Sequence, residues 1–256
     1  MNQNPNHIAA HIPLAGLINA RHLGGYPTMD GGITRKEAFV RCENPQKLTK
    51  EDLDTLYRLG IRWVIDLRSP EEVCAAPNPM AADSRFTYRN IPVFSKDASP
   101  EALTKSGIPM GDLYIYMLEE RKSAFREIFS EILRAEGGVL YHCSAGKDRT
   151  GVLSALLLLL AGVAEDMVIE EYSYTQVLLA PLVAELKKGL PAGVSGQYAQ
   201  EMLSARPEFI RKAVDYLKKN YGSAEAYLAN LGFSAAETEE LRARLLKLPL
   251  ESKKGA

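Results

Sequence analysis

One short segment constrains the fold of this chain more than any other, because two apolar runs of different length flank a loop of reactive side chains. Residues 138–141 (GVLY) form the first run, and residues 152–160 (VLSALLLLL) form the second. The short run predicts a buried strand and the long run a buried helix. The loop between them, residues 142–151 (HCSAGKDRTG), carries a cysteine, a lysine, an aspartate, an arginine and a threonine. We therefore expect these groups to lie together where a buried strand ends.

The loop has the makeup of an anion-binding site. Successive backbone N–H groups in a tight loop before a helix form a concavity that binds phosphate, and the guanidinium of Arg149 can bind two phosphate oxygens at once. The same positive field favours a thiolate at Cys143, which would face a bound phosphorus as a nucleophile. The hydroxyl of Thr150 is expected to donate to the sulfur. The predicted phosphate-binding residues are Ser144, Ala145, Gly146, Lys147, Asp148 and Arg149.

Three separate motifs carry a resemblance to a known family. The spacing Cys143-x5-Arg149 between a strand and a helix resembles the signature of the cysteine-dependent protein tyrosine phosphatases. The complete string HCxAGKDRTG is similar to that of the bacterial PtpB-like tyrosine and lipid phosphatases. Residues 19–26 (NARHLGGY) resemble the Asn-x-Arg-x-x-Gly-Gly element of that family, and residues 64–69 (VIDLRS) resemble its Asp-Leu-Arg strand end. The resemblance runs from about residue 15 to about residue 245.

This resemblance implies both a fold and a reaction. The fold is a three-layer α/β phosphatase fold with a central, mostly parallel sheet flanked by helices. The reaction is phosphomonoester hydrolysis through a phospho-cysteine intermediate, with Cys143 as nucleophile, Arg149 binding the phosphate and Asp148 protonating the leaving oxygen. The residues with implied supporting roles are His142, Thr150, Asp66 and Arg68. The implied substrates are phosphotyrosine proteins, then phosphoserine, phosphothreonine and phosphoinositides, with inorganic phosphate as product and neither a metal nor another cofactor required.

The general acid is open between three aspartates. General acid–base catalysis typically raises the reaction rate about 10²–10⁴-fold. Most tyrosine phosphatases carry the acid on a loop with the sequence Trp-Pro-Asp. In this chain Trp63 is followed by Val-Ile-Asp, so that loop is absent. Asp148, inside the phosphate loop, is the favoured candidate. Asp66 is an alternative, either as the acid itself or as a residue that orients Asp148. Its plainer interpretation is a carboxylate at a strand end that pairs with Arg68. Asp112 lies 31 residues before Cys143 and is the third candidate, although a helix N-cap is its preferred interpretation.

Substrate choice and enzyme class leave further alternatives open. The charge of Lys147 suits polyphosphorylated inositides, whereas a solvent-exposed or acid-paired lysine is the plainer interpretation, so both phosphotyrosine and phosphoinositide activity stay open. A sulfurtransferase also uses a loop cysteine, but that class does not account for Asp148 or Thr150. A non-catalytic phosphate-binding protein predicts the loss of a catalytic residue, and here the expected nucleophile, acid and arginine are all present.

Composition limits the partners and the compartment. A net charge of −1 gives no electrostatic case for nucleic acid or an anionic membrane, so the positive field must be local to the loop. Three cysteines argue against a disulfide framework and for a reducing compartment. The first residues lack a secretion signal, and no apolar run is long enough to cross a bilayer. We expect a cytoplasmic protein, or one secreted without a classical signal, whose oligomeric state the sequence does not determine.

Punctuation by Gly, Pro and capping residues predicts one domain across residues 1–256. It consists of an N-terminal arm (1–14), an α/β core (15–163) with the phosphate loop at 142–150, a helical extension (164–246) and a tail (247–256). Besides the strand before the loop, strands are predicted at 38–41, 61–67 and 86–93. Helices are predicted at 50–59, with Thr49 as cap, and at 165–190, 204–221, 224–231 and 235–246, and residues 114–135 are predicted to form one or two helices.

Overall fold

A computed structural model describes residues 11–94, 108–188 and 196–246. Within these residues the sheet has five strands: β1 (Arg21–His22), β2 (Phe39–Cys42), β3 (Ile61–Asp66), β4 (Thr87–Asn90) and β5 (Gly138–His142). Their order is β1-β2-β5-β3-β4, with β1 antiparallel to β2 and every other neighbouring pair parallel. The predicted mostly parallel sheet is confirmed, and the strand that leads into the phosphate loop lies at its centre.

Helices cover the sheet on both faces. Before the phosphate loop lie α1 (Lys50–Arg58), α2 (Pro70–Ala75), α3 (Met110–Glu120) and α4 (Lys122–Arg134). After it lie α5 (Asp148–Leu160), α6 (Glu165–Leu179), α7 (Val183–Lys188), α8 (Gly196–Met202), α9 (Pro207–Tyr221), α10 (Ala224–Asn230) and α11 (Ala235–Leu245). Short 3₁₀ helices occupy Pro79–Ala82 and Ala180–Leu182.

The central strand is buried on both sides, as parallel strands between helix layers are. Val139 and Tyr141 pack into the larger core, which joins the sheet to α3–α6 and α9–α11, while Leu140 packs into a smaller core with Leu56 of α1. Because side chains alternate along a strand, β5 contributes to both cores. Helix α5 is buried almost all round, as its unbroken apolar run predicts. The three layers of the predicted fold are thus present.

Helix boundaries differ from prediction chiefly at prolines. The segment predicted as one or two helices over 114–135 is two helices, which begin at Met110 and at Lys122, on either side of Arg121. The segment predicted as 165–190 leaves regular α-helix after Leu179, because Pro181 lacks an N–H and falls in a 3₁₀ turn. Pro207 occupies the first position of α9, where its missing N–H costs nothing, so the helix predicted to begin at 204 begins later.

The structure shortens one predicted strand and shows how the N-terminal arm is packed. The strand predicted at 86–93 extends only over Thr87–Asn90. Ile12 and Leu14, assigned to an N-terminal arm, are buried in the smaller core, because they pack beside α1 and the sheet. Residues 1–10 of that arm and the tail at 247–256 lie outside the described residues. In the part of the chain that is described, no helix is long and apolar enough to cross a membrane.

Candidate active site

The phosphate loop connects the central strand to the most buried helix. Cys143 directly follows β5 and is only 2% exposed. Helix α5 begins at Asp148, and the side chain of its N-cap residue, Lys147, makes no capping hydrogen bond, so the first-turn N–H groups face the loop. Gly146 has a φ of +66°, and a Cβ there would lie 2.4 Å from the carbonyl oxygen of Cys42. Only glycine satisfies both constraints.

The guanidinium of Arg149 is held by a carboxylate that the sequence analysis missed. Its Nη1 and Nη2 donate to Oε2 and Oε1 of Glu72 at 2.6 and 2.8 Å. Glu72 lies in the first turn of α2, where it also caps the helix by accepting from the N–H of Ser69 at 2.8 Å. Burial opposes ionisation of Glu72, but the hydrogen bonds and charge of Arg149 lower its pKa to about 2. Glu72 is therefore ionised and fixes the arginine.

This arrangement leaves one edge of the guanidinium for a ligand. Ser144 Oγ donates to Glu72 and lies 3.2 Å from Nη2 of Arg149. Among the described residues, Nε of Arg149 donates to no protein atom. A phosphate oxygen can accept from that N–H without displacing Glu72.

The outer side of the loop is bound by groups from the N-terminal third of the chain. Nη2 of Arg41 donates to the carbonyl oxygen of Gly146 at 2.7 Å. Nδ2 of Asn19 donates to the carbonyl oxygens of Ala145 and Gly146 at 3.1 and 3.3 Å. Because each peptide holds its C=O and N–H on opposite sides, binding these carbonyls from outside turns the neighbouring N–H groups inward. The element at residues 19–26 thus shapes the anion site.

A buried ionic cluster supports those contacts. Glu171 of α6 accepts from Nε of Arg21 at 2.7 Å and from Nη1 of Arg41 at 2.6 Å. Arg21 also donates to the Thr175 hydroxyl at 2.8 Å and to the side chain of Asn19. All three charged side chains are buried, so each depends on its partners. A helix that follows the loop in sequence therefore helps to hold the loop from behind.

Asp148 is the acidic group of the loop and is partly open to solvent, with 27% of its side chain exposed. The hydroxyl of Tyr114 donates to its Oδ1 at 2.5 Å, and that of Tyr172 lies 2.5 Å from the Tyr114 hydroxyl. Both tyrosines are buried. Burial first, and then the charge of Asp148, raise the pKa of each phenol well above its usual value.

The Lys147 ammonium contacts the neighbouring aspartate and two backbone carbonyls, which agrees with its interpretation as an acid-paired lysine. Its Nζ donates to the carbonyl oxygens of Met202 and Ser204 at 2.5 and 2.9 Å, and it lies 3.3 Å from Oδ1 of Asp148. The side chain is only 3% exposed, so it is not a solvent-exposed lysine. Instead it joins the loop to the segment that follows α8.

Asp66 is fully buried and is enclosed by hydrogen-bond donors. Oδ1 and Oδ2 accept from Nε and Nη2 of Arg68 at 2.8 and 2.6 Å, and Oδ2 also accepts from the Tyr88 hydroxyl at 2.7 Å. Burial opposes ionisation, yet the hydrogen bonds from Arg68 hold the pKa of Asp66 well below its usual range. Arg68 in turn donates to the carbonyl oxygen of Ala76 at 2.8 Å. A saturated, ionised carboxylate is unsuited to donating a proton.

Asp112 is neither a helix cap nor part of the loop. Pro109 holds the N-cap position of α3, and Asp112 lies in the first turn, where it pairs with Lys212 at 2.6 Å. Two helical positions correspond to about 200° of rotation, so Asp112 lies on the opposite side of α3 from Tyr114. The helix that presents Tyr114 to Asp148 thus directs Asp112 away from that carboxyl.

His142 and Thr150 flank the loop in the buried interior. Oδ1 of Asn78 accepts from the N–H of Met80 at 2.9 Å, which directs Nδ2 of Asn78 to Nε2 of His142 at 3.0 Å. Nε2 also lies 3.3 Å from Oδ2 of Asp66, and Nδ1 lies 3.1 Å from the carbonyl oxygen of Cys143, so both ring nitrogens are held in place. The Thr150 hydroxyl is buried without a hydrogen-bond partner among the described residues, so the predicted bond to the cysteine sulfur is not formed.

Comparison with known proteins identifies the family. A family model described as "Tyrosine phosphatase family" matches residues 12–247. The chain belongs to the tyrosine phosphatase family. It is similar to a tyrosine-protein phosphatase of Nostoc commune, with 32% identity over 82% of this chain and 74% of that one. It is also similar to the triple specificity protein phosphatase PtpB of Mycobacterium tuberculosis, with 27% identity over 83% of this chain and 92% of that one.

A crystal structure of TpbA from P. aeruginosa matches this phosphatase with 14% identity and a TM-score of 0.40. The match covers 91% of this chain and 100% of that one. The predicted family and enzyme class, a cysteine-dependent tyrosine phosphatase, are confirmed by the family match and the two sequence relatives.

Four supporting groups of this phosphatase were not predicted. Glu72 was detectable in part, because Ser69-Pro70-Glu71-Glu72 has the form of a capping box. Nothing local to the sequence indicated that the same carboxylate would reach the loop arginine. Arg41 and Glu171 lie 130 residues apart, and Tyr114 lies 34 residues before its partner, so neither contact has a local pattern.

Proposed function

We propose that this chain hydrolyses phosphotyrosine in proteins through a covalent phospho-cysteine intermediate. The observation that carries the proposal is the convergence in one loop of a buried cysteine at a strand end, an arginine held by Glu72, and an accessible carboxyl at Asp148. In the first step Cys143 Sγ forms a bond to phosphorus while the bond to the tyrosine oxygen breaks. Asp148 gives its proton to that oxygen, so the product leaves as neutral tyrosine.

The second step returns the enzyme to its starting state. Water forms a bond to phosphorus as the S–P bond breaks, and Asp148 accepts the proton of the water. Arg149 and the loop N–H groups hold the phosphoryl oxygens in both steps, where charge must be stabilised. One phosphotyrosine and one water thus yield tyrosine and inorganic phosphate, and the enzyme holds the same protons as before.

The surroundings of Asp148 support it over its two rivals as the general acid. Asp66 is saturated by Arg68 and Tyr88, and Asp112 pairs with Lys212 on the far side of α3. Asp148 is the aspartate of the three that belongs to the loop, directly before Arg149. We propose it as both acid and base.

Lys147 bears on the choice between phosphotyrosine and phosphoinositides. The relative PtpB is described as a triple specificity protein phosphatase, and activity on phosphoserine and phosphothreonine peptides is a secondary part of our proposal. A headgroup with several phosphates would need the Lys147 ammonium to leave the carbonyls of Met202 and Ser204. We therefore place phosphoinositides below phosphotyrosine as substrates.

The test is phosphate release from a matched panel of phosphotyrosine, phosphoserine and phosphothreonine peptides and of mono- and polyphosphorylated inositides, in the presence of EDTA. Phosphotyrosine peptides are expected to be hydrolysed fastest, and Cys143→Ser is expected to abolish turnover. Lys147→Met serves as a specificity control and should leave phosphotyrosine as the preferred substrate. Full activity in Cys143→Ser would refute the thiolate mechanism, and faster release from a polyphosphorylated inositide would refute the substrate ranking.

A further inference from the structure

Two tyrosines outside the phosphate loop form a chain of hydrogen bonds that ends on Asp148. We propose that Tyr114 is a positioning residue for the Asp148 carboxyl. The Tyr114 hydroxyl, which accepts a hydrogen bond from Tyr172, donates to Oδ1 of Asp148 and so leaves Oδ2 turned to the leaving group. This inference rests on the proposed function, in which Asp148 is the general acid.

The direction of the hydrogen bonds follows from counting protons. Tyr114 Oη lies 2.5 Å from Oδ1 of Asp148 and 2.5 Å from Oη of Tyr172. A phenol has a single proton to donate, and an ionised carboxylate only accepts. Tyr114 therefore donates to Asp148, and Tyr172 donates to Tyr114. The chain of donors ends on Oδ1, which also lies 3.3 Å from the ammonium of Lys147.

Oδ2 of Asp148 is then the oxygen that carries the acidic proton. Oδ1 faces a phenol proton and a cation, so a proton added to the carboxyl is more stable on the other oxygen. Burial, and then the charge of Asp148, raise the pKa of Tyr114 well above its usual value, so the phenol keeps the proton that it donates to Oδ1.

The two tyrosines are held rigidly by elements other than the loop. Tyr114 belongs to α3 and Tyr172 to α6, and their rings pack edge to face with centroids 5.9 Å apart. Gly151 lets the ring of Tyr172 approach α5, since a Cβ at that position would lie 2.8 Å from the ring. Two helices thus determine the rotation of the carboxyl about its last bond, which a partly exposed aspartate would otherwise sample broadly.

The prediction concerns how the rate depends on the leaving group. Tyr114→Phe removes one hydroxyl and keeps the ring. It is expected to lower kcat/KM about 10-fold on a phosphotyrosine peptide, part of the roughly 10²–10⁴-fold that an acid contributes. An aryl phosphate with a strongly acidic phenol departs without a proton, so its kcat/KM should fall less than about 2-fold. Tyr172→Phe should give a smaller loss with the same selectivity.

Two controls separate positioning from a structural effect. Tyr227→Phe removes another buried hydroxyl, one that donates to the carbonyl of Leu118 at 2.8 Å, and it should change neither rate. The inhibition constant of inorganic phosphate should be the same in Tyr114→Phe as in wild type, because the loop itself is intact. A weaker inhibition by phosphate would mean that the variant has disturbed the loop and would overturn the proposal.

A double-variant cycle decides the question. In the Asp148→Asn enzyme, Tyr114→Phe should cause no further loss on the phosphotyrosine peptide, since the carboxyl it positions is gone. The positioning role would be overturned if Tyr114→Phe lowered kcat/KM equally on the phosphotyrosine peptide and on the activated aryl phosphate. It would also be overturned if Tyr114→Phe caused the same loss in the Asp148→Asn enzyme as in wild type. If instead Asp148 is not the general acid of the proposed function, Asp148→Asn alone would keep the wild-type ratio of the rates on the phosphotyrosine peptide and the activated aryl phosphate.

Discussion

The ion pair between Glu72 and Arg149 makes a quantitative prediction about stability and pH. Lowering the pKa of Glu72 from 4.5 to about 2 corresponds to about 3 kcal/mol, at about 1.4 kcal/mol per pH unit. Because 30% of the Glu72 side chain is exposed, solvent screens part of this, and about 2–3 kcal/mol remains. We expect Glu72→Gln to lower the free energy of unfolding at pH 7 by that amount.

The sign of the pH dependence follows from the lowered pKa. The ionised form is the one that the native state favours, so its contribution is complete above about pH 4.5, the value for the unfolded chain, and is lost as the pH falls toward about 2. Urea unfolding at pH 7 and at pH 3 measures this. The difference between wild type and Glu72→Gln should shrink to less than half at pH 3.

Glu71→Gln is the matched control, because Glu71 lies in the same first turn of α2 and is exposed. It removes the same charge from the same helix terminus but not the partner of Arg149. Phosphotyrosine turnover should fall about 10- to 100-fold in Glu72→Gln, since a displaced arginine no longer meets the phosphate, and should hold in Glu71→Gln. Equal destabilisation by the two variants, or a difference that does not change between pH 7 and pH 3, would refute the reasoning.

Three further substitutions test the rest of the site. Asp66→Asn should cost about 3–5 kcal/mol in urea unfolding, because it leaves a buried arginine without its acid, while the ratio of rates on phosphotyrosine and an activated aryl phosphate stays at the wild-type value; a changed ratio would make Asp66 the acid. Asp112→Asn breaks an exposed pair with Lys212 and should change stability by less than about 1 kcal/mol and leave that ratio alone; an altered ratio would contradict the assignment to Asp148. Gly146→Ala should abolish protection by inorganic phosphate in thermal unfolding, because a Cβ there lies 2.4 Å from the Cys42 carbonyl oxygen; protection equal to wild type would show that the loop tolerates a side chain.

The strand–loop–helix unit was predictable because every determinant of it is local. An apolar run of strand length, a turn with glycine and an apolar run of helix length are contiguous, and their burial follows from composition alone. The ends of α1 were predictable for the same reason, since the Thr49 side chain caps its N-terminus within three residues.

The partners of the loop were not predictable, because each arrives from a distant part of the chain. Arg41 lies on an otherwise apolar strand, and nothing in the neighbouring sequence indicates a partner for its charge. Its partner, Glu171, is placed beside it by α6. Lys147 was assigned to the phosphate site because its neighbours were expected to bind anions, whereas it donates to two backbone carbonyls, one in the last residue of α8 and one just after that helix. Side-chain direction within a loop depends on tertiary neighbours that residue spacing does not encode.

The placement of Glu171 has a consequence for dissecting this protein into parts. By sequence the α/β portion ends near residue 163, and a shortened version stopping there would retain all the reactive groups of the loop. It would also retain Arg21 and Arg41 in the interior while discarding the acid that neutralises both. Two uncompensated cations beneath the loop are incompatible with a stable interior. We therefore expect the smallest autonomous catalytic unit to extend at least through α6, because that helix supplies the acid that supports the active site from beneath.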